Sequence, residues 1–294
     1  MSRPAAADGS LAHYRIRARN TATGGGNPIH DDEEARRRGY RGGLVPGVTT
    51  WAYLCHPLTE VLGPAFVEGG TAELRLVAPV YDGDQVEIDV APVPRAGDEG
   101  AVEAVAQVAA TGVVATAAAW ILPGPSEMGQ DATGQDDAGP GAVVSLPEER
   151  PPADEVSLAP GRVLGTVAGA ITEADGRAYL ATVGESLPFF EEQGVIHPGQ
   201  LLQLANRALA ANVALGPWVH VGSELTHIAL VRWDEPFEVR SRVHDRFERR
   251  GHQFVTLDVT VNQKGEGSRR SEATEVACRV RHTAIYRLAP LTEA

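Results

Sequence analysis

The feature that most constrains the fold of this chain is an order of elements that occurs twice. Two Pro-Gly turns, Pro46-Gly47 and Pro198-Gly199, lie 152 residues apart. Each precedes an apolar segment whose large side chains recur at helical spacing, and each segment is followed by stretches that alternate with a period of two. Because a repeated order indicates a duplicated unit, we predict two diverged copies of one α+β unit. In each copy a single long helix should be wrapped by an antiparallel sheet.

The predicted elements divide the chain into two halves joined by a linker. In the first half a strand is predicted at residues 11–21, a helix at 48–62, and strands within 72–76, 86–90 and 102–122. In the second half strands are predicted at 162–171, 179–183, 225–231, 237–243, 254–261 and 276–288, with a short helical segment at 187–193 and a helix at 198–213. Residues 123–157 are rich in Gly, Pro, Asp, Glu and Ser and predict a flexible linker. The predicted domains are therefore 1–122 and 158–294.

Composition argues against several classes of function. The chain has 294 residues, 43% of them hydrophobic, which is enough for a sizeable core. Its net charge of −13 and pI of about 5.1 argue against nucleic acid or an anionic membrane as a partner. Cys55 and Cys278 do not suggest a disulfide framework, and neither a secretory signal nor a membrane-spanning stretch is visible. We therefore expect a cytoplasmic protein.

Residues suited to chemistry are concentrated before the first predicted helix. Residues 23–32 read Thr-Gly-Gly-Gly-Asn-Pro-Ile-His-Asp-Asp, and residues 41–47 read Arg-Gly-Gly-Leu-Val-Pro-Gly. These two stretches bring Asn27 and His30 close in sequence to a helix N-terminus at Gly47. An imidazole titrates near neutrality, and a helix N-terminus stabilises developing negative charge. The region is therefore predicted to bind a polar carbonyl.

These two stretches, with Gly39-Tyr40 between them, resemble the hydratase motif of MaoC-like proteins, which have the hot-dog fold. The resemblance implies a double hot-dog, in which two fused copies form a pseudo-dimer, and it leaves open a homodimer of the whole chain. It also implies addition of water to 2-enoyl thioesters, or its elimination from 3-hydroxyacyl thioesters, of coenzyme A (CoA) or acyl carrier protein. No metal or redox cofactor is implied. By the same resemblance His30 is the catalytic histidine, Asn27 the motif asparagine, and Gly47 or Val48 the donor to the thioester oxygen.

One position departs from the family motif. The family's catalytic aspartate lies five residues before the histidine, where this chain has Gly25. Asp31 and Asp32 are candidate substitutes, although capping of a helix explains both equally well. Gly25 and Tyr40 are still predicted to line the substrate-binding cleft.

The second half retains the helix start but not the rest of the motif. It has His197-Pro198-Gly199 and no Asn-Pro-x-His, so we predict a single site in the first half. His197 and Glu185 are the second-half residues predicted to contribute to it, with a capping or packing role for His197 about equally expected. His56, within the first predicted helix, is expected to be a buried histidine with satisfied hydrogen bonds.

Three functions fit these observations. The first is a hydratase or dehydratase acting on an acyl thioester. The second is a hot-dog thioesterase, in which His30 and a carboxylate from the other half direct water at the carbonyl carbon. The third is a non-catalytic acyl-binding or partner subunit whose missing aspartate records lost activity.

Overall fold

The computed structural model describes residues 9–95, 100–122, 142–263 and 274–290. The elements of the first half are β1 (Ala12–Arg17), α1 (Asp32–Arg37), α2 (Gly47–Leu62), α3 (Ala65–Gly69), β2 (Gly70–Leu76), β3 (Gln85–Pro92), β4 (Val102–Val108) and β5 (Gly112–Ile121). Those of the second half are β6 (Val163–Gly169), α4 (Glu173–Val183), α5 (Pro188–Gln193), α6 (Pro198–Asn212), β7 (Val219–His227), β8 (Phe237–Arg249), β9 (His252–Gln263) and β10 (Glu275–Arg287). The predicted order of a long helix followed by strands is present in both halves.

The strands of both halves form one continuous antiparallel sheet. Their order is β1-β3-β4-β5-β2-β7-β10-β9-β8-β6, so β2 and β7 join the halves at its centre. Across this seam Ala72 pairs with Leu225 and Leu74 with Ser223. The prediction that the two sheets merge, and with it the α+β fold class, is confirmed.

Helix α2 is the buried centre of the first half. All residues from Val48 to Thr59 are buried, as the near absence of charge in this segment predicts. Trp51, Leu54 and Leu58 are fully buried, and α2 packs against α6 as well as against the strands of its own half. The two long helices therefore share one core beneath the joined sheet.

One predicted strand is a helix. Residues 179–183 form the last turns of α4, which begins where the Thr172 hydroxyl accepts a hydrogen bond from the Asp175 N–H. Tyr179, Leu180 and Val183 are buried on one face at helical spacing. The strand prediction was therefore wrong, because five residues are too few to show a helical period that is visible only over the whole of α4.

The second part of the predicted linker contacts the second half. Residues 123–141 lie outside the described residues, so the prediction for them stands untested. Among residues 142–157, the Val144 carbonyl accepts a hydrogen bond from the Thr166 N–H, and Ala153 and Pro151 exchange backbone hydrogen bonds with Ala214. This part is held by backbone partners that its composition does not indicate. In the described part of the chain, no helix is long and apolar enough to cross a membrane.

Candidate active site

A single 3-10 turn, Pro28–His30, sets the geometry of the motif. The Asn27 carbonyl oxygen Oδ1 caps this turn by accepting from the Ile29 N–H at 3.3 Å, and Pro28 occupies the first position, where no N–H is needed. Because the residues capping and ending so short a turn are neighbours, Asn27 Nδ2 lies 3.3 Å from His30 Nε2. The two polar residues of the motif therefore form one unit.

The tautomer of His30 follows from its neighbours. His30 Nδ1 lies 2.8 Å from the Leu44 carbonyl oxygen, which only accepts, so Nδ1 carries the proton and Nε2 presents a lone pair. Burial lowers the pKa of His30, and the Leu44 carbonyl and the charge of Asp31 oppose this only in part. His30 is thus a neutral imidazole with a directed basic nitrogen at pH 7.

The second half contacts the motif through Asn27. Asn27 Nδ2 donates to the Trp218 carbonyl at 3.0 Å, and the Trp218 N–H donates to Asn27 Oδ1 at 3.3 Å. Val219 packs on the small apolar cluster of Ile29, Ala35 and Leu44 beneath the motif. The position of the basic nitrogen therefore depends on both halves.

The N-terminus of α2 is open. Its N-cap is Pro46, whose side chain makes no capping hydrogen bond, and among the described residues the N–H groups of Gly47 and Val48 have no partner. Gly47 is partly exposed. A Cβ at this position would lie 2.3 Å from Leu76 Cδ1 and 3.0 Å from His220 Nδ1, so a larger residue would displace one or both side chains.

The start of α6 is closed. The His197 side chain accepts a hydrogen bond from the Gly199 N–H at 3.0 Å through Nδ1, and Gln200 completes a capping box. His197 and Gly199 are both buried. The donors that remain free in the first half are therefore occupied in the second, which favours one site in the molecule.

Glu185 and His197 contact each other, and Glu185 also contacts His56, but neither residue contacts His30. The Glu185 carboxylate accepts from His56 Nδ1 at 2.7 Å, from His197 Nε2 at 3.3 Å and from two backbone N–H groups. His56 lies about 13 Å from Gly47 along α2 at the helical rise per residue. The two residues predicted from the second half thus belong to a separate cluster, and His56 is buried and hydrogen-bonded as expected.

The glycine loop and its acidic neighbours have local backbone roles. Gly24 and Gly26 adopt positive φ, and a Cβ at Gly25 would lie 3.0 Å from the Ala22 carbonyl oxygen. Asp31 accepts from the Gly24 N–H at 3.1 Å.

Asp32 and Tyr40 complete the surroundings of the loop. Asp32 accepts from the Gly43 N–H at 2.8 Å and pairs with Arg36. The Tyr40 side chain packs against the apolar cluster beneath the motif, and burial raises its pKa. These contacts agree with a structural role for both residues.

A surface cleft of about 820 Å³ reaches His30 from the side of the glycine-rich turns. Its charged side chains are Arg17, Arg36, Arg41, Asp31, Asp32, Asp82 and Asp84. Arg36 and Arg41 are paired with Asp32 and Asp84, whereas Arg17 has no ion pair among the described residues. The cleft therefore offers one uncommitted guanidinium next to the motif.

Sequence reasoning missed two second-half residues that approach this site. Trp218 contacts Asn27 through its backbone, which leaves no signal in the side-chain pattern. His220 lies against Gly47 from β7, which begins six residues before the strand predicted at 225–231, so this histidine was not placed on any predicted element.

The comparisons with known proteins concern the fold. No protein-family model matches the chain, and no curated protein matches it. A conserved hypothetical protein of Mycobacterium tuberculosis, described as a double hotdog fold, aligns with a TM-score of 0.62 at 15% identity, covering 95% of this chain and 96% of that one. A protein designated a MaoC domain dehydratase, from Chloroflexus aurantiacus, aligns with a TM-score of 0.60 at 12% identity, covering 94% of each chain. A protein designated an oleoyl thioesterase, from Lactobacillus plantarum, gives 0.52 at 14% identity, covering 97% and 99%. The predicted double hot-dog fold is confirmed.

Proposed function

We propose that this double hot-dog chain adds water to 2-enoyl thioesters, or removes it from 3-hydroxyacyl thioesters, at a single site in its first half. The observation that carries the proposal is the pairing of a neutral, directed His30 with an uncapped α2 N-terminus in the same short stretch. Hydration of an enoyl thioester requires these two functions, a base for water and a site for the negative charge on the thioester oxygen.

The proposed reaction uses His30 twice. Nε2 takes a proton from water as the water oxygen bonds to Cβ, and the electron pair of the double bond moves towards the thioester oxygen. The free N–H groups of Gly47 and Val48 hold the resulting enolate oxygen. The protonated His30 then returns the proton to Cα, so a single side chain completes the addition. Dehydration follows the same steps in reverse, and no carboxylate is required at position 25.

The cleft beside His30 supports a phosphate-bearing carrier. Both CoA and acyl carrier protein present the acyl group on a phosphopantetheine arm, and arginine is the side chain best suited to bind phosphate. Arg17 is exposed on the wall of the cleft and has no carboxylate partner among the described residues. We therefore assign the cleft to the carrier arm.

A thioesterase is the second candidate, because structures designated as thioesterases share the fold over nearly the full chain. In that reaction His30 would direct water at the carbonyl carbon, and cleavage of the thioester bond would release a free thiol. A thioesterase of this kind requires a carboxylate from the second half beside His30. Glu185, the second-half carboxylate predicted to contribute to the site, contacts His56 and His197 instead. This arrangement favours hydration.

Crotonyl-CoA separates the candidate functions in one assay. Hydration consumes the enoyl absorbance without releasing thiol, a thioesterase releases thiol, and binding without either change indicates a non-catalytic subunit. His30→Gln should lower the hydration rate by roughly 10²- to 10⁴-fold, the usual contribution of a general base. His13→Gln is the matched control, because His13 is an exposed histidine on β1 that pairs with Asp89. Full hydration by the His30 variant would refute the assignment.

A further inference from the structure

A second histidine lies at the open start of α2. His220, on β7, has only 5% of its surface exposed, and its Nδ1 has no hydrogen-bond partner among the described residues. The same nitrogen is 3.0 Å from the position that a Cβ would take at Gly47. Buried polar groups without a partner are uncommon and call for an explanation. Here the unpartnered nitrogen faces the helix end whose own N–H groups are also free.

A β-bulge turns His220 towards the helix. Where β7 pairs with β10, Gly222 is opposite Thr283 and His220 is opposite Ala284, so Val221 is an extra residue. The bulge breaks the alternation of the strand and places both His220 and Ser223 on the buried side. Bulges occur preferentially next to active sites, where they re-aim a side chain.

His220 is the end of a buried chain of hydrogen bonds. Its Nε2 lies 2.9 Å from Ser223 Oγ, which lies 2.9 Å from His282 Nδ1. Burial lowers the pKa of His220 to about 4, and the Gly222 backbone offsets this only in part. Burial also lowers the pKa of His282 well below its usual value, so both rings are neutral at pH 7. When His282 donates to Ser223 and Ser223 donates to His220 Nε2, the proton of His220 is on Nδ1, facing α2.

We infer that His220 is a further catalytic residue, whose Nδ1–H donates a hydrogen bond to the thioester carbonyl oxygen at the start of α2. This inference rests on the proposed function and adds that the oxyanion site is shared between the halves. A neutral imidazole is a suitable donor, since its N–H can polarise a substrate carbonyl in an active site. Ser223 and His282 are positioning residues in this inference, because donation from His282 through Ser223 to Nε2 leaves the proton of His220 on Nδ1.

Two substitutions at His220 distinguish a hydrogen-bond donor at the position of Nδ1 from one at the position of Nε2. The amide nitrogen of Asn is as many bonds from Cα as Nδ1 is, and that of Gln as many as Nε2. His220→Asn should therefore retain most of the turnover of crotonyl-CoA, while His220→Gln should lower kcat by roughly 10²-fold with little change in KM, as expected for loss of one oxyanion donor. Equal kcat values for His220→Gln and the unaltered chain would overturn the inference.

His227 provides the control. It is also a buried β7 histidine with an unpartnered ring nitrogen, and burial lowers its pKa to about 4, but it packs against Phe66. It lies about 23 Å from His220 along the strand at the usual rise per residue. His227→Gln should leave kcat unchanged, and a loss equal to that of His220→Gln would assign both effects to packing.

Vibrational spectroscopy of a bound carbonyl tests the role of His220 without requiring catalytic turnover. The probe is a saturated acyl-CoA analogue in which CH₂ replaces the thioester sulfur, so that the ligand is neither hydrated nor hydrolysed. Its carbonyl stretch should lie at lower frequency when bound to the unaltered chain or to His220→Asn than when bound to His220→Gln. Identical frequencies would overturn the role of His220 even if His30 proves essential. Failure of the unaltered chain to bind the probe would overturn both proposals.

Discussion

A histidine acts as a directed base when one ring nitrogen is held as a donor and the other is left unprotonated. His30 meets this condition through the Leu44 carbonyl, which has no proton to gain or lose near neutral pH. His56 meets it through Glu185, a carboxylate that acid neutralises. The two histidines therefore have the same tautomer for different reasons. Of the two, only His30 lines the surface cleft beside the glycine-rich turns.

Glu185 makes the second histidine cluster sensitive to acid. Burial raises the pKa of Glu185, but hydrogen bonds from His197 and His56 outweigh it and bring the pKa from 4.5 to about 2. Because the folded pKa is the lower one, the carboxylate contributes stability above pH 4.5 that is lost as the pH falls towards 2. Glu185→Gln should lower the free energy of unfolding by on the order of 3 kcal/mol at pH 7. Urea denaturation should show this difference shrinking at pH 3.

The matched control for Glu185 is a nearby carboxylate without a fixed partner. Glu192 is exposed on α5 and makes no ion pair with the described residues. Glu192→Gln should leave the unfolding free energy nearly unchanged at both pH values. A pH-independent deficit in Glu185→Gln would mean that shape, and not charge, holds the cluster together.

Single residues could be predicted as far as their chemistry is local. The resemblance identified Asn27 and His30 as candidates, and the structure brings them within hydrogen-bond distance. It could not indicate that Asn27 is fixed by Trp218, because that contact spans 191 residues and uses backbone atoms. Likewise, Glu185 was predicted to lie near His30 because no local sequence feature shows which histidine it contacts.

At the scale of elements, the sequence predicted the helices better than their surroundings. The spacing of apolar residues and the Pro-Gly turns identified α2 and α6, since both signals are local. That Pro46 leaves one helix start open while His197 closes the other depends on side-chain capping, which sequence spacing alone does not decide. The linker shows the same limit, because backbone contacts of residues 142–157 are independent of their polar composition.

The two parts of the linker should respond differently to deletion. Removing residues 145–155 eliminates the backbone hydrogen bonds of Pro151 and Ala153 with Ala214 and that of Arg150 to the Ala210 carbonyl. At roughly 1 kcal/mol each, their loss should lower the melting temperature by about 5–10 °C. A deletion of equal length within residues 126–140 should change it little, as the linker composition predicts. Equal effects in calorimetry would contradict this division.

At the scale of the whole molecule, the two halves pack together like the two subunits of a dimer. They share the β2–β7 seam, the packing of α2 on α6, and the hydrogen bonds of Asn27 with Trp218 and of His56 with Glu185. Each half alone would expose a central strand edge and the apolar surface of its long helix. The covalent connection is therefore less important for assembly than the non-covalent interface.

A chain divided between residues 130 and 131 should consequently reassemble. Co-expressed fragments 1–130 and 131–294 should elute as one equimolar complex in size-exclusion chromatography with light scattering, and each fragment alone should aggregate. Ala72→Asp should prevent assembly, because it places a charge at a fully buried seam position opposite Leu225. Val113→Asp is the control, since Val113 is exposed on β5 and pairs with Gln107 of β4, not with the seam strand β2. Two fragments that fold and elute as separate monomers would show that each half is stable without the joined sheet, and a site shared between the halves would then lose its structural basis.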